Sequence, residues 1–219
     1  MMQGSPLPPL PPKSPFLVIQ NFISPLLCEH IIALTYDETF EPNVDKDGKP
    51  IVMKKMHDRV EDLVCERFKT EIVSKIEKHF DVKYRSINDL QIEWYPEGCN
   101  NSNPVCENSS YIRKQWVKTR DRDFTAILFL CDYQNQVPFD GDFEVFGGKL
   151  EFPQYGFGFN PQRGTLIIFP SVPHFINLTT QVLAGDLFQV RLQMTTEIPY
   201  LHNPGLFTGD YRVWFREVT

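Results

Sequence analysis

Residues 164–192 read GTLIIFPSVPHFINLTTQVLAGDLFQVRL. Two short apolar runs, LIIF and DLFQVRL, stand either side of segments punctuated by FPSVP and LAG. Runs of four to eight residues rich in Ile, Val and Phe, bounded by Pro and Gly, read as strands rather than helices. Working outward, LQIEWYP (90–96) alternates apolar and polar residues, FTAILFLCDY (124–133) is a buried strand, and KLEF (149–152), FGFNP (157–161) and HFINL (174–178) follow at short intervals. The turns between them are GG, PQYG and PQRG. Many short strands with such punctuation predict a closed β sandwich or jelly roll.

Upstream the period changes. FLVIQNF (16–22) is a short strand, and Ser24–Pro25 supplies an N-cap with proline in the first helical turn. Leu27, Ile31 and Leu34 then repeat at helical spacing and predict a helix over 25–36. DKDGKP (45–50) reads as a turn. Val60, Val64, Phe68, Ile72 and Ile76 fall on one stripe and predict a second, longer helix from Asp58 to His79. Helices first and strands after give an α+β layout, with the helices packed outside the sheet. The segment from Gly98 to Ser110 reads as a loop. GDFEVFGG (141–148) does not follow the GxGxxG pattern, so a nucleotide role finds no support.

The chain of 219 residues, 42% hydrophobic, is long enough for one domain with its own core, over 16–219. Residues 1–15 carry six prolines from Pro6 to Pro15, which rules out a helix or a central strand. They form either a floppy tail or a stiff arm that docks on a neighbouring subunit. YRVWFREV (211–218) alternates bulky and charged residues, and an extra strand over 211–217 is expected, able to pair with a neighbouring sheet edge. Protein partners or homo-oligomerisation are therefore expected through the arm and this strand. The net charge of −6, with no RNKKR-like run, argues against nucleic-acid and anionic-membrane partners. No apolar run approaches the roughly 20 residues of a bilayer span. Five cysteines without CxxC spacing disfavour a disulfide framework and suit a reducing compartment.

The ordered set DRDFTAILFL, GGKLEF, PQRGTLIIFPSVPHF and GDLFQVR, with the lead-in VIQNFISPLLCEHIIAL, resembles the Fe(II)/2-oxoglutarate-dependent oxygenases, in the prolyl-4-hydroxylase-like branch, over residues 16–197. The resemblance implies a double-stranded β-helix whose larger sheet is buttressed by helices. It also implies iron held by two imidazoles and one carboxylate, with open positions for 2-oxoglutarate and dioxygen. It extends to versions of this branch carried by bacterial viruses and aquatic microbes, which implies a place in the cytoplasm or, for a phage-encoded copy, in a virion.

Residue by residue the implied site is incomplete. His174, after GTLIIFPSVP, falls where the distal imidazole belongs. The proximal His-x-Asp is replaced by Val105-Cys106-Glu107, and no histidine occurs between His79 and His174. Glu107 stands for the aspartate and Val105 for the missing histidine; Cys106 points away from Glu107 in an extended segment. His57, beside Asp58, reads as a helix-start residue. The position ten residues past His174 that should clamp 2-oxoglutarate is Ala184, and the first base beyond it is Arg191. Arg191 shares a face with Leu187 and Gln189, so if Phe188, Val190 and Leu192 line the interior, Arg191 faces outward; a longer LTTQVLAGD loop would restore the register. Tyr95 lines the pocket or the core. Arg120, Asp121, Arg122 and Asp123 read as a solvated charge cluster with local pairs of little worth. Asn100, Asn101, Asn103 and Asn108 shape their loop. Two functions follow. One is a prolyl-hydroxylase-like dioxygenase using Fe(II) and 2-oxoglutarate; the other, favoured by the absent donor, is an oxygenase fold without cofactor that serves as a protein-binding or structural module.

Overall fold

The computed structural model describes residues 14–36, 43–44, 50–55, 58–136 and 143–201. Most of the proline-rich arm, His57, most of the DKDGKP turn and the expected strand over 211–217 lie outside these residues. In chain order the elements are β1 (Leu17–Ile19), α1 (Pro25–Tyr36), β2 (Asn43–Val44), β3 (Pro50–Lys55), α2 (Asp58–Glu71), α3 (Val73–Phe80) and β4 (Tyr84–Tyr95). Then come β5 (Asn101–Val105), β6 (Ser109–Ile112), β7 (Gln115–Lys118), β8 (Phe124–Phe129), β9 (Asp132–Tyr133) and β10 (Glu144–Gly147). The chain continues through β11 (Leu150–Phe152), β12 (Phe157–Phe159), β13 (Leu166–Pro170), a 3-10 turn (Pro173–Phe175), β14 (Asn177–Thr179), β15 (Val182–Gly185) and β16 (Leu187–Thr196).

The α+β expectation holds. The first helix spans the residues its cap and proline indicated: the Leu27 amide reaches the Ser24 hydroxyl at 3.3 Å. The long helix over 58–79 is instead two, broken at Ile72, where φ is −112° and ψ −37°. The reason lies in its own stripe. Val60, Val64, Phe68, Ile72, Ile76 and Phe80 are all buried and recur every fourth residue. With 3.6 residues per turn, each such step drifts about 40° around a straight helix. A straight rod would carry Phe80 to the side opposite Val60; the break re-aims the last turns so that all six stay inside.

The larger sheet runs β1-β13-β8-β16-β4-β3-β2, and the facing strands form β12-β11-β14-β5 and β15-β10-β9. Register assigns the two faces of the larger sheet. Phe188, Val190, Leu192 and Met194 of β16 lie level with Leu128, Ala126 and Phe124 of β8 and with Trp94, Ile92 and Leu90 of β4. Phe124 of this set meets Phe80 of α3, with ring centres 4.5 Å apart, so the apolar face looks toward the helices. The alternate set, including Thr125 and Phe169, looks the other way: Phe169 meets Phe152 of β11 at 4.9 Å. That second face is the barrel interior. One part of the interior is aromatic, with Phe16 packed on Phe152, Phe157 and Phe175 at 4.8, 5.3 and 5.5 Å. Edge-to-face pairs of this kind add roughly 0.5–1.5 kcal/mol each beyond area burial. The strands are linked by tight turns that need glycine. At Gly147 φ is +88°, and an added Cβ would lie 2.2 Å from the Gln181 carbonyl oxygen.

Candidate functional site: the polar half of the barrel

β4 and β16 are antiparallel neighbours with Glu93 level with Gln189 and Arg191 level with Gln91. Because side chains alternate along a strand, Glu93 and Tyr95 share one face of β4, and Gln189, Arg191 and Gln193 share the same face of β16. All five are buried. The Arg191 Nε donates to Glu93 Oε1 at 2.7 Å and its Nη1 to Glu107 Oε1 at 2.6 Å. Gln193 Nε2 donates to Glu107 Oε2 at 3.0 Å, and Arg122 Nη1 stands 3.5 Å from the same oxygen. Gln189 Nε2 and the Tyr95 hydroxyl both donate to Glu93 Oε2, the latter at 3.2 Å. The network continues through Thr125, whose hydroxyl bonds Gln193 Oε1 at 3.0 Å and the Ser171 hydroxyl at 2.8 Å.

Arg191 therefore faces inward. The outward orientation expected from the sequence rested on the apolar side of β16 being the inner one; here that side is covered by helices and both sides of the strand are buried. Two carboxylates in a site sheltered from water would repel and take up protons unless a cation lay between them. The Arg191 guanidinium is that cation. Burial opposes its charge, but Glu93 and then Glu107 outweigh the burial and hold its pKa above the ordinary arginine value. Burial, followed by the Glu93 charge, raises the Tyr95 phenol well above its usual range, so it acts as a donor. Gln189 Oε1 is the one buried acceptor of this network without a protein partner among the described residues.

The remaining site residues named from the sequence are dispersed. Val105 ends β5, half-buried, level with Asn177 of β14. Glu107, two residues on, turns into the barrel as described. Cys106 turns elsewhere, its Sγ directed at the Asn108 Oδ1 and the Ser171 carbonyl at 3.7 and 3.6 Å, in keeping with the opposite orientation expected for it. His174 is exposed on the 3-10 turn. The polar residue that β14 itself places beside Val105 is Asn177, which is buried. Ala184 lies on β15, in the smaller sheet, facing Phe146. Asn108 does shape its loop, accepting the Thr119 and Arg120 amides on its carbonyl.

The TRDRD segment is not uniformly solvated. Asp123 is 1% exposed and accepts from the Thr196 amide and hydroxyl at 3.0 and 2.9 Å and from the Tyr200 amide at 3.1 Å. Arg122 is largely buried beside Glu107. Sequence reading also passed over Glu93, Gln189 and Gln193. Their signal was polar residues recurring at every second position in strands otherwise made of Val, Leu, Ile and Phe.

The implied iron has a demanding donor set, and these residues do not fit it. Val105 offers hydrocarbon, Glu107 has both oxygens engaged by Arg191, Gln193 and Arg122, and His174 is carried on an exposed turn. Among the described residues no three His, Cys, Asp or Glu side chains converge as a metal site.

No protein-family model matches the sequence, and no curated protein sequence matches it either. Solved structures do. A viral collagen prolyl hydroxylase from Paramecium bursaria Chlorella virus-1, in complex with 2-oxoglutarate, is 14% identical over 84% of this chain and 97% of its own, with a TM-score of 0.59. A Pseudomonas putida prolyl-4-hydroxylase is 14% identical over 82% and 91%, at 0.60. A Trichoplax adhaerens prolyl hydroxylase, solved with a peptide of the hypoxia-inducible factor oxygen degradation domain, is 15% identical over 83% and 84%, at 0.54. Identities this low speak to architecture, and on that evidence the chain has the jelly-roll fold of the prolyl-hydroxylase-like 2-oxoglutarate/Fe(II) oxygenases.

Proposed function

We propose that this chain is a non-catalytic member of that architecture, serving as a protein-binding or structural module. The observation that carries the reading is the engagement of Glu107. The only carboxylate of the expected ligand segment is held 2.6 Å from Arg191 and 3.0 Å from Gln193. A metal entering there would displace a buried charge-assisted contact and leave the guanidinium opposed by Glu93 alone. With a valine in place of the first imidazole, the gain from one remaining oxygen ligand does not offset that loss. The polar interior then maintains the barrel, and the proline-rich arm and the 211–217 segment supply contacts with partner proteins or further copies, in the cytoplasm or in a particle.

A second reading, an active prolyl-hydroxylase-like dioxygenase, draws on the overlap of more than four-fifths of the chain with enzymes of that class. One experiment separates them. Purified protein is titrated anaerobically with Fe(II) or Mn(II), and succinate release from 2-oxoglutarate is followed with and without a proline-rich peptide. The proposal expects no stoichiometric metal and no succinate above a protein-free control. One metal per chain with turnover overturns it.

A further inference from the structure

A cavity of about 360 Å³ opens where the last described residues leave the barrel. Its floor is apolar, formed by Phe80 at the end of α3, by Val82 and by Tyr200, whose ring stands 6.4 Å from that of Phe80. Ile198 and Leu201 form its rim and are 80% and 84% exposed, more than any other large apolar side chain among the described residues. This rim is held in place. The Thr196 hydroxyl donates to the Ile198 carbonyl at 2.6 Å, and the Tyr200 amide donates to Asp123 at 3.1 Å. Two aliphatic side chains fixed in water beside an apolar hollow make a surface suited to being covered.

Charge narrows the choice of occupant. Asp81, Lys83 and Glu197 also line the cavity, and Lys83 is engaged by Glu77 at 3.3 Å. Asp81 and Glu197 are exposed and have no ion-pair partner among the described residues. The complement is a bulky apolar group set between cations, and the chain carries one just downstream, in YRVWFREV (211–218), outside the described residues. In an extended segment alternate side chains share a face, which groups Arg212, Trp214 and Arg216 on one side and Tyr211, Val213 and Phe215 on the other. Trp and Arg are the residue types that most often anchor in desolvated pockets. Between Leu201 and Tyr211 the chain has Pro204–Gly205 and Gly209, residues that serve chain reversal.

We propose that the C-terminal segment folds back on its own chain and seats Trp214 in this cavity, with Arg212 and Arg216 against Asp81 and Glu197. The indole covers Ile198 and Leu201, and the arginines complete the charge of the rim. The same alternation turns Tyr211, Val213 and Phe215 outward, as an apolar face offered to a partner protein. The inference deepens the module reading above and rests on it for the use of that outward face, naming the seat that presents it.

The test is fluorine NMR of the full chain labelled with 5-fluorotryptophan, whose signals come from Trp94, Trp116 and Trp214. Trp214→Phe assigns the signal of interest, and a labelled synthetic peptide of residues 208–219 gives the position of an unseated Trp214. Trp94, stacked on Phe188 at 5.7 Å, reports whether the fold is intact. In wild type the Trp214 signal is expected away from the peptide position and constant over a roughly twentyfold range of protein concentration, since a contact within one chain does not follow mass action. Ile198→Ser/Leu201→Ser, which alters only exposed side chains, is expected to move it to the peptide position with the Trp94 signal unchanged. Arg212→Glu/Arg216→Glu is expected to do the same. So is Asp81→Asn/Glu197→Arg, in which Asn keeps the left-handed conformation of residue 81, at φ +55°, and the chain carrying both charge changes is expected to regain at least half of the wild-type shift. A wild-type signal at the peptide position, a signal indifferent to the rim variant, or charge changes whose combination leaves Trp214 unseated would overturn the proposal. So would a shift that grows with protein concentration, an outcome that assigns the cavity to the tail of a second copy. None of these readouts involves metal or a partner protein, so they fail or succeed apart from the iron and succinate measurement.

Discussion

Arg191 is the point on which the barrel interior balances, and replacing it with methionine measures how much. Methionine keeps the apolar stem, ends about where the Nε lies, and removes the guanidinium, leaving Glu93 and Glu107, 2% and 5% exposed, without their shared cation. Arg122, 3.5 Å from Glu107 alone, covers only part of that charge. Removing one partner of a buried ion pair costs about 3–5 kcal/mol, because the charge left behind is neither solvated nor compensated. Against a total stability of roughly 5–15 kcal/mol, that loss is readily measured by urea unfolding followed by tryptophan fluorescence. A companion, Glu93→Gln/Arg191→Met/Glu107→Gln, removes all three charges together and should lie within about 2 kcal/mol of wild type, since a fully neutral interior leaves no orphaned ion. An Arg191→Met variant as stable as wild type at pH 8, or a triple variant less stable than the single one, would refute this account of the interior.

Other expectations follow from single positions. Asp123→Ala strips the acceptor from the Thr196 amide and hydroxyl and the Tyr200 amide, and should cost about 3 kcal/mol in urea unfolding; a loss under 1 kcal/mol would mean those donors find other partners. Gly147→Ala forces a Cβ against the Gln181 carbonyl at a φ of +88° and should lower stability by about 2–4 kcal/mol, read as a drop in melting temperature. Burial pushes the Cys28 and Cys131 thiols up to about 12 and also raises those of half-buried Cys65 and Cys106, so at pH 8 native protein should react with a thiol-reactive disulfide slowly and only at Cys65 and Cys106, with the other three reacting after denaturation.

The parts of this molecule legible from its sequence are those fixed by neighbouring residues. Ser24–Pro25 announces a helix start within one turn, and α1 begins and ends where that signal and its stripe indicate. The β5 segment, NSNPV, shows why others were hidden: its composition is that of a loop, and it becomes a strand by pairing with β14 more than seventy residues away. The break at Ile72 was latent in the fourfold spacing of the helical stripe. A count of apolar residues does not register that drift; an angular reading of the same six positions does. Asp123 shows a different limit, because a buried carboxylate capping a sheet is written in the same letters as a surface charge cluster.

Arg191 carries the general lesson. Period-two alternation states which residues of β16 share a face, and that statement was correct. It does not state which face is inside, and the usual rule that the apolar side turns inward presumes water on the other. In β16 no such side exists, since all ten of its residues are buried. The apolar face meets helices, and the polar face meets the barrel, where Glu93, Glu107, Gln189 and Gln193 give Arg191 its partners. For a strand buried on both sides, the informative phase is thus the polar one. Charged residues at alternate positions there must find each other across the interior, so Glu93 on β4 and Arg191 on β16 were a pair to be sought together rather than a clamp and a bystander to be judged separately.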